Sequence, residues 1–334
     1  MVDGAALKPL KAGIVGLGNV AWRYDVGRDG STLTHLSTYK ADERFRLVGG
    51  YDPEPTSRAD FTNATGIDSH DSLDALLAQS PDIISICSPN RWHGEHLRAC
   101  LEARVPMIWL EKPATDSARD ALELLALQRS LDSSTVLVGF QRRYQPVYQR
   151  LRAEFSEVGP ESCAGISVTY SRGLETNGVH LIDFLFQLVG NQSAYDLLGV
   201  SGAQGQNASP SFILRFADGP TCIVTGLDLP YHSIDITVHL TTGRHSVIYG
   251  GARAVREDVI ENPLYPGFYR LQCRDCDDDV AGVLDREAQA VFPAMLSDLV
   301  NAYEKGREPA SSLSTAVASQ LLVDRVLALA RGEN

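Results

Sequence analysis

Short apolar runs separated by segments of helical periodicity make up the first 140 residues of the chain. Each run stops at a glycine, a proline or a polar residue, which is typical of strands buried on both faces of a parallel sheet. The predicted strands are Ala12–Val15, Phe45–Tyr51, Asp82–Cys87, Val105–Leu110 and Thr135–Phe140. Helices are predicted between them at Ser72–Ala78 and Trp92–Ala103, and Ser117-Ala-Arg-Asp120 has the form of a helix cap. This alternation indicates right-handed crossovers and a doubly wound parallel sheet.

Beyond about residue 150 the pattern changes to alternating runs separated by Gly, Pro and Asp, which indicates antiparallel strands joined by turns. The clearest runs are Gly165–Tyr170, Ser211–Phe216, Cys222–Gly226 and Ile234–Thr241. Amphipathic helices are predicted at Ala288–Tyr303 and Ser314–Leu329. We therefore predict an α/β protein. Its domains are a doubly wound domain at 1–145, an α+β domain with an open, mostly antiparallel sheet at 146–310, and a C-terminal helix at 311–334 that packs back on the first domain.

Composition narrows the class of partner. The 334 residues carry a formal net charge of −12 and no basic stripe, which argues against a nucleic-acid surface. No continuous apolar run reaches the length of about 18 residues that a membrane span needs, and no secretory signal pattern is present, so we expect a cytoplasmic protein without a membrane partner. The cysteines are scattered and predict no disulfide framework. Cys273-Arg-Asp-Cys276 is a weak zinc signal without a second ligand pair, so we expect no metal.

The first predicted strand runs into Gly16-Leu17-Gly18-Asn19-Val20-Ala21. This G-x-G-x-x-A turn lets backbone N–H groups approach a pyrophosphate at a helix N-terminus, as in a Rossmann domain. Asp52 ends the second strand, where a carboxylate can accept hydrogen bonds from the adenosine ribose. The carboxylate would repel a 2′-phosphate, so we expect NAD. NADP stays possible if Asp52 turns away and Ser57 and Arg58 accept the phosphate.

An inserted polar segment, Tyr24–Thr34, separates the glycine turn from the second strand and predicts a loop beside the cofactor. His35 follows directly. We expect it to be a helix-end residue packed on the sheet, and a contribution to the substrate pocket is the alternative.

Two charged residues, Glu111 and Lys112, end a strand that Pro113 prevents from continuing. Ligands bind outside the carboxyl ends of parallel strands, so both side chains are expected at the mouth of a crevice. Oxidation of a secondary alcohol requires removal of the hydroxyl proton while hydride leaves carbon, and a lysine whose burial favours the neutral amine can remove that proton. Successive residues of a strand point to opposite faces, so Glu111 need not oppose Lys112.

His180 is the second candidate for proton chemistry. We predict that Asn177 caps a helix beginning near Gly178, which places His180, Asp183 and Gln187 on one polar face. Asp183 would then lie close enough to orient the histidine ring.

The order of these clusters resembles the Gfo/Idh/MocA family of glucose-fructose oxidoreductase, inositol dehydrogenase and their relatives. The resemblance is carried by Pro89-Asn90-x-x-His93, by Glu111-Lys112-Pro113 and by His180-x-x-Asp183. It implies a nicotinamide-dependent oxidoreductase acting on a sugar, cyclitol or nucleotide sugar, with Lys112 as general acid/base and His180 as its partner. It also implies a homodimer or homotetramer formed through the sheet of the second domain.

Further contacts are expected on the same basis. The expected cofactor contacts are Gly16, Gly18, Asn19, Val20, Asp52, Ser88, Pro89, Asn90, His93 and Glu111. The expected substrate contacts are Arg142, Arg143, Asn177, Asp183, Tyr231 and His35. The sequence departs from the family pattern at Thr176, where many members have an aspartate. Two alternatives stay open: a non-catalytic cofactor-sensing regulator, and a reductase of a non-sugar carbonyl or imine.

Overall fold

A computed structural model describes residues 8–333, apart from residues 29, 191–193, 203, 204, 206 and 277–279. The chain divides into two compact units. The first comprises the residues up to Gly139 together with Val291–Val317, and the second comprises Phe140–Ala290 together with the residues from Ala318 onward.

The first unit is built on a parallel sheet. Its strands are β1 Leu10–Val15, β2 Phe45–Tyr51, β3 Ser69–His70, β4 Ile83–Ile86, β5 Met107–Leu110 and β6 Thr135–Val138. Their order is β3-β2-β1-β4-β5-β6, and each neighbouring pair is parallel. Every residue of β4 and β5 is buried, as expected for strands covered on both faces. The predicted doubly wound sheet is confirmed.

Helices connect these strands. They are α1 His35–Lys40, α2 Pro55–Thr65, α3 Leu73–Leu77, α4 His93–Glu102 and α5 Ala118–Leu131. The predicted cap of α5 is present, because the Ser117 hydroxyl accepts a hydrogen bond from the Asp120 N–H at 3.2 Å. The helix predicted at Trp92–Ala103 is confirmed as α4, with Trp92 and Ala103 as its caps, and a 3-10 turn at Asn90–Trp92 leads into it.

The expectation of an α-helix directly after the glycine turn is wrong. Turns and a short 3-10 helix at Arg23–Asp25 follow Gly18, and α1 begins only at His35. The predicted loop between them is present. The Asp25 carboxylate holds part of it, accepting hydrogen bonds from the Ser31 and Ser37 hydroxyls and from the Leu33 N–H. The inserted residues thus take the place of the usual first helix.

The second unit is built on a mostly antiparallel sheet. Its strands are β7 Cys163–Ser171, β8 Tyr195–Ser201, β9 Ser211–Phe216, β10 Thr221–Leu227, β11 Ile234–Leu240, β12 Gly243–Ile248, β13 Arg253–Glu261 and β14 Tyr269–Cys276. They lie in the order β14-β13-β12-β11-β7-β10-β9-β8, and β7 and β10 are a parallel pair. Alternate residues of β9 and β11 are buried, so one face of the sheet forms the core. The predicted open α+β sheet is confirmed.

The helices of the later chain are α6 Pro146–Val158, α7 Val179–Val189, α8 Val280–Glu304 and α9 Leu313–Ala330. The last two contain the helices predicted at Ala288–Tyr303 and Ser314–Leu329. Among the described residues, only α9 is long and apolar enough to cross a membrane by length and composition. Half of its 18-residue window is buried inside the structure, and a buried core helix passes the same test.

Candidate active site

Four predicted site segments of the first unit follow strand ends on one edge of the parallel sheet. The glycine turn follows β1, Asp52 follows β2, Ser88-Pro89-Asn90 follows β4, and Glu111-Lys112 follows β5. Strands β1 and β4 are neighbours, and the chain proceeds from them toward opposite edges of the sheet. This is a topological switch point, the position at which open α/β sheets bind ligands.

The two glycines of the turn differ in what surrounds them. A Cβ atom on Gly16 would lie 2.5 Å from the backbone of Ser88, and Gly16 has a positive φ of 85°. The packing of β1 against the end of β4 therefore requires glycine at this position. A Cβ atom on Gly18 would meet no heavy atom within 4 Å. Nothing in the protein itself demands a glycine there, and the open space is what the backbone needs to receive a phosphate.

Asp52 is fixed beside the turn. Its carboxylate accepts a hydrogen bond from the Leu17 N–H at 2.9 Å and another from the Glu54 N–H at 2.9 Å. Arg58 donates to the carbonyl oxygens of Asp52 and Pro53 at 2.8 and 2.9 Å. Asp52 would lose both N–H partners if it turned away, so the arrangement keeps a negative charge next to the glycine turn.

His93 is buried, and both of its ring nitrogens contact backbone carbonyl oxygens. Nδ1 lies 2.6 Å from the Pro113 oxygen, and Nε2 lies 2.7 Å from the Ser88 oxygen. A carbonyl oxygen only accepts, so the ring nitrogen that carries the proton donates to the oxygen beside it. His93 therefore joins the chain after β4 to the chain after β5, and Pro89 and Asn90 are the exposed residues of this loop.

Glu111 lies in a buried polar network. Its Oε1 is 3.1 Å from His35 Nε2, and His35 Nδ1 is 2.8 Å from the Ser85 hydroxyl, which is also 2.8 Å from the Tyr39 hydroxyl. The His35 ring packs against Trp109, with the ring centroids 4.1 Å apart. His35 is fully buried. The expectation that it packs on the sheet is confirmed, and its alternative role as a substrate contact does not fit this position.

The electrostatics of Glu111 follow from this network. Burial raises the pKa of its carboxyl group. The His35 hydrogen bond, together with charge interactions with His35, Lys112 and His93, outweighs burial and holds the pKa below its ordinary value of 4.5. Glu111 is thus a carboxylate at neutral pH. Its hydrogen-bond partner His35 lies in the same unit. Lys112, which also follows β5, is only half-buried.

In the second unit, His180 occupies the first turn of α7. A π-helical turn at Leu174–Gly178 leads directly into this helix, and Arg172 before it has a positive φ of 63°. Unusual backbone of this kind is frequent at functional sites. His180 is buried, and the Phe140 ring lies edge-on to it with the centroids 5.8 Å apart.

From the sequence we predicted that Asp183 orients the His180 ring. Its carboxylate instead pairs with Arg143. Its carboxylate receives two hydrogen bonds from Arg143, Nε at 2.6 Å and Nη2 at 2.8 Å. The exposed fractions of these side chains are 1% for Arg143 and 0% for Asp183. Burial raises the pKa of Asp183, and the guanidinium opposes that rise. This ion pair joins the 3-10 turn Gln141–Arg143 to α7, and neither charge faces solvent.

Two further predicted contacts have other surroundings. Asn177 does not cap α7, whose N-cap is Gly178 without a side-chain hydrogen bond. Its amide instead donates to the carbonyl oxygens of Ser171 and Ser233 at 2.7 and 3.3 Å, which ties the π-helical turn to the sheet. Tyr231 is exposed. Thr176 donates its hydroxyl proton to Asn207 Oδ1 at 3.3 Å.

The described residues contain no group of three or more His, Cys, Asp or Glu side chains that could hold a metal ion. Cys273 is disulfide-bonded, a bond that the predicted absence of a disulfide framework did not include. The Cys276 side chain lies outside the described residues.

The comparisons with known proteins agree with this arrangement. Residues 10–140 match the family model GFO_IDH_MocA, described as an oxidoreductase family with an NAD-binding Rossmann fold. Residues 10–140 of this chain are thus similar to the Gfo/Idh/MocA family of oxidoreductases. A curated relative, inositol 2-dehydrogenase of Corynebacterium glutamicum, is 28% identical over 197 residues, 55% of this chain and 56% of the relative. D-glucoside 3-dehydrogenase of Escherichia coli is 31% identical over 181 residues, 54% of this chain and 47% of the relative.

The chain thus matches only about half the length of these curated relatives. A solved structure shares the fold over nearly the whole chain. It is UDP-N-acetylglucosamine 3-dehydrogenase from Acidithiobacillus ferrooxidans, with a TM-score of 0.73, 17% identity, and coverage of 96% of this chain and 97% of the other. At this identity the likeness shows the fold alone.

Sequence reasoning did not find the polar partners of Glu111. Ser85 looked like part of an apolar strand, and Tyr39 lay in a short helix with no motif. The available signal was a serine inside an otherwise apolar strand, because a buried hydroxyl requires a partner. Arg58 was considered only as a phosphate ligand, and its role of holding the Asp52 and Pro53 carbonyls was not predicted.

Proposed function

We propose that this protein is an NAD-dependent oxidoreductase that interconverts a secondary hydroxyl and a ketone on a sugar, cyclitol or nucleotide sugar. The observation that carries the proposal is the half-buried Lys112 at the carboxyl end of β5. In the same sheet, the turn after β1 leaves open space over Gly18, and β2 is followed by the hydrogen-bonded Asp52 carboxylate. The names of the relatives, an inositol and a glucoside dehydrogenase, support a polyhydroxylated substrate.

The residues of the first unit fit a dinucleotide. The open space over Gly18 and the exposed Asn19 suit a pyrophosphate, and the fixed Asp52 carboxylate suits the ribose hydroxyls. When bound, the cofactor would supply the nicotinamide ring that accepts or donates hydride. Of the other expected contacts, Pro89 and Asn90 are exposed, whereas Ser88, His93 and Glu111 are buried behind them. We propose that these three position the loops.

The choice of NAD over NADP follows from the bonds of Asp52. A 2′-phosphate on the adenosine ribose would meet this carboxylate, and Arg58 is occupied with two backbone carbonyls. Binding of the two cofactors to the full chain, measured by titration calorimetry, tests the preference. We expect NAD to bind at least about tenfold more tightly, since removing like-charge repulsion is worth over 1 kcal/mol at a partly buried site. Tighter binding of NADP would contradict it.

We propose that Lys112 removes the substrate hydroxyl proton in the oxidation direction and returns it to the carbonyl oxygen in the reverse direction. Glu111 cannot perform this step, because it is buried and its carboxylate accepts the His35 hydrogen bond. The hydroxyl of Thr176 cannot act as a base at neutral pH either, and we assign the proton transfer to Lys112. His180, whose ring packs edge-on against Phe140, is proposed as the second polar group of the reaction.

A panel of sugars, cyclitols and nucleotide sugars, followed by nicotinamide absorbance, tests the proposal. We expect at least one member to reduce NAD with the wild-type chain. Lys112→Ala should abolish that reduction while leaving cofactor affinity within a few-fold, because Lys112 acts on the proton of the substrate. Retained turnover in Lys112→Ala would refute the assignment, and matched loss of cofactor binding would show that Lys112 acts on the cofactor.

We also propose that the chain forms a homodimer or homotetramer through the open face of the second sheet. Ile213 on β9 and Ile223 on β10 are direct cross-strand neighbours on the uncovered face, and they are 37% and 52% exposed. Exposed apolar neighbours on a sheet are typical of an interface. Light scattering of the full chain should give a multiple of the 36.3 kDa chain mass, and Ile223→Asp should lower it. A monomeric wild type would contradict the proposal.

A further inference from the structure

Arg142 is a buried cation that the mechanism proposed above does not use. It is the middle residue of the 3-10 turn Gln141–Arg143, and only 8% of its surface is exposed. An arginine is charged at every pH that a protein tolerates. Taking such a charge out of water is costly unless an anion compensates it.

Its neighbour shows how this chain compensates a buried guanidinium. Arg143 forms a bidentate ion pair with Asp183. Arg142 forms no ion pair with any carboxylate of the described chain, and its Nε atom has no hydrogen-bond partner. The guanidinium instead lies over the Tyr148 ring, 5.7 Å from the centroid. A cation–π contact of this kind compensates only a small part of the desolvation of a charge.

The other groups around Tyr148 do not supply the missing anion. Burial raises the pKa of the Tyr148 hydroxyl, and Arg142 only partly offsets that rise, so the phenol is neutral at physiological pH. Asp235 also influences the pKa of Tyr148, and its carboxylate accepts the Tyr249 N–H at 2.7 Å, but it forms no ion pair with Arg142. Among the described residues, no carboxylate therefore forms an ion pair with Arg142.

The position of Arg142 is well defined. On one side of it, Phe140 packs edge-on against His180. On the other side, Arg143 forms its ion pair with Asp183, which lies on α7 as His180 does. Both flanks of the turn are thus anchored to α7, close to the residue proposed as the second polar group of the reaction. A guanidinium held on a rigid element is pre-organised to receive a planar oxyanion.

We infer that Arg142 binds an anionic group of the substrate, a carboxylate or a phosphate. The inference rests on the proposed function, because it takes the ligand near His180 to be the substrate. Carboxylate and phosphate both present two oxygens to the guanidinium fork, and the two sources are a carboxylate on the sugar ring and the diphosphate of a nucleotide sugar. The substrate class is thereby narrowed from neutral polyols to acidic sugars or nucleotide sugars.

The inference is tested by binding of four probes to the full chain in the presence of NAD. UDP-glucuronate carries both anions, UDP-glucose carries the diphosphate alone, glucuronate carries the carboxylate alone, and glucose carries neither. Arg142→Met removes the charge while keeping an apolar side chain of similar length. Arg152→Met, at an exposed arginine of α6, is the matched control.

We expect Arg142→Met to weaken binding of the anionic probe by roughly 10- to 100-fold, which is the range for losing charge-assisted hydrogen bonds. Glucose should be unaffected, and the control should behave as wild type. Weakening of both UDP sugars, with glucuronate unchanged, assigns the diphosphate. Weakening of glucuronate and UDP-glucuronate, with UDP-glucose unchanged, assigns the carboxylate. The inference is overturned if the wild type binds no anionic probe, or if Arg142→Met and Arg152→Met bind all probes alike.

Thermal unfolding without ligand separates this function from a structural one. If Arg142 has no counter-ion, Arg142→Met should unfold at the wild-type temperature or above it, and the anionic probe should raise that temperature only in the wild type. A fall of several degrees in the variant would reveal a structural partner and overturn the inference. Failure of the oxidoreductase proposal is distinguishable, because it would appear as retained turnover in Lys112→Ala while probe binding stays intact.

Discussion

Replacing Asp183 by asparagine should destabilise the second unit by about 3–5 kcal/mol, the range measured when one member of a buried ion pair is removed. The structure gives the reason for so large an effect. Arg143 and Asp183 are 1% and 0% exposed, and the carboxylate receives two guanidinium hydrogen bonds at 2.6 and 2.8 Å. In Asp183→Asn the Arg143 charge stays buried without its anion. Loss of this pair would also loosen the turn that carries Arg142.

Two controls isolate the buried charge as the cause. Arg215 and Asp196 form an ion pair of 2.8 Å on the surface of the same unit, with exposed fractions of 56% and 66%. Asp196→Asn should therefore cost less than about 1 kcal/mol. The double variant Arg143→Met with Asp183→Leu removes both charges, and it should recover most of the loss.

Equilibrium urea unfolding, combined with hydrogen exchange of the α7 peptides, measures these differences for the second unit by itself. Hydrogen exchange matters here because a chain of two units need not unfold in one step. The reasoning is refuted if Asp183→Asn lies within 1 kcal/mol of Asp196→Asn, or if the double variant is no more stable than the single one.

Three more predictions concern the first unit. His35→Phe keeps a ring against Trp109 but removes the donor to Glu111, which should cost about 1.5–3 kcal/mol. Because the pKa of Glu111 is held below 4.5 in the folded chain, its stabilising contribution is present above that pH and is lost on acidification. Acid unfolding of His35→Phe should begin at a higher pH than in the wild type. An unchanged pH of acid unfolding would count against the stabilising bond between His35 and Glu111. Gly16→Ala should prevent folding, whereas Gly18→Ala should fold and lose cofactor affinity; equal thermal stability of the two variants would contradict their different surroundings. Asp52→Ala should lower the ratio of NAD to NADP affinity by roughly tenfold, measured by calorimetry, and an unchanged ratio would remove Asp52 from cofactor choice.

The strands of the first unit could be predicted because burial on both faces leaves a continuous apolar run, as in β4 and β5. The chain after Gly18 could not. The turn motif implies an α-helix, but inserted polar residues organise around the Asp25 carboxylate instead. A local sequence motif cannot show that this loop is preferred over the helix, because the hydrogen bonds that hold the loop join residues up to twelve positions apart.

The candidate site shows the same limit. Helical spacing correctly placed His180 and Asp183 on one helix. It did not predict the partner of Asp183, because that partner is Arg143, forty residues earlier in the chain. Asn177 has the residue type of a helix cap, yet a π-helical turn directs its amide to Ser171 and Ser233. Residue type and spacing identify candidate functional side chains. Contacts between residues distant in sequence decide which of those side chains are instead engaged in structural bonds.

The most direct test of the proposed chemistry is restoration of the missing amine. Single-turnover hydride transfer by Lys112→Ala, with a substrate found in the panel, should be undetectable without additive. Small primary amines such as ethylamine should restore part of the rate, and the restored rate should rise with the basicity of the amine, because the lost group moves a proton. Turnover of Lys112→Ala at the wild-type rate without amine would contradict the account.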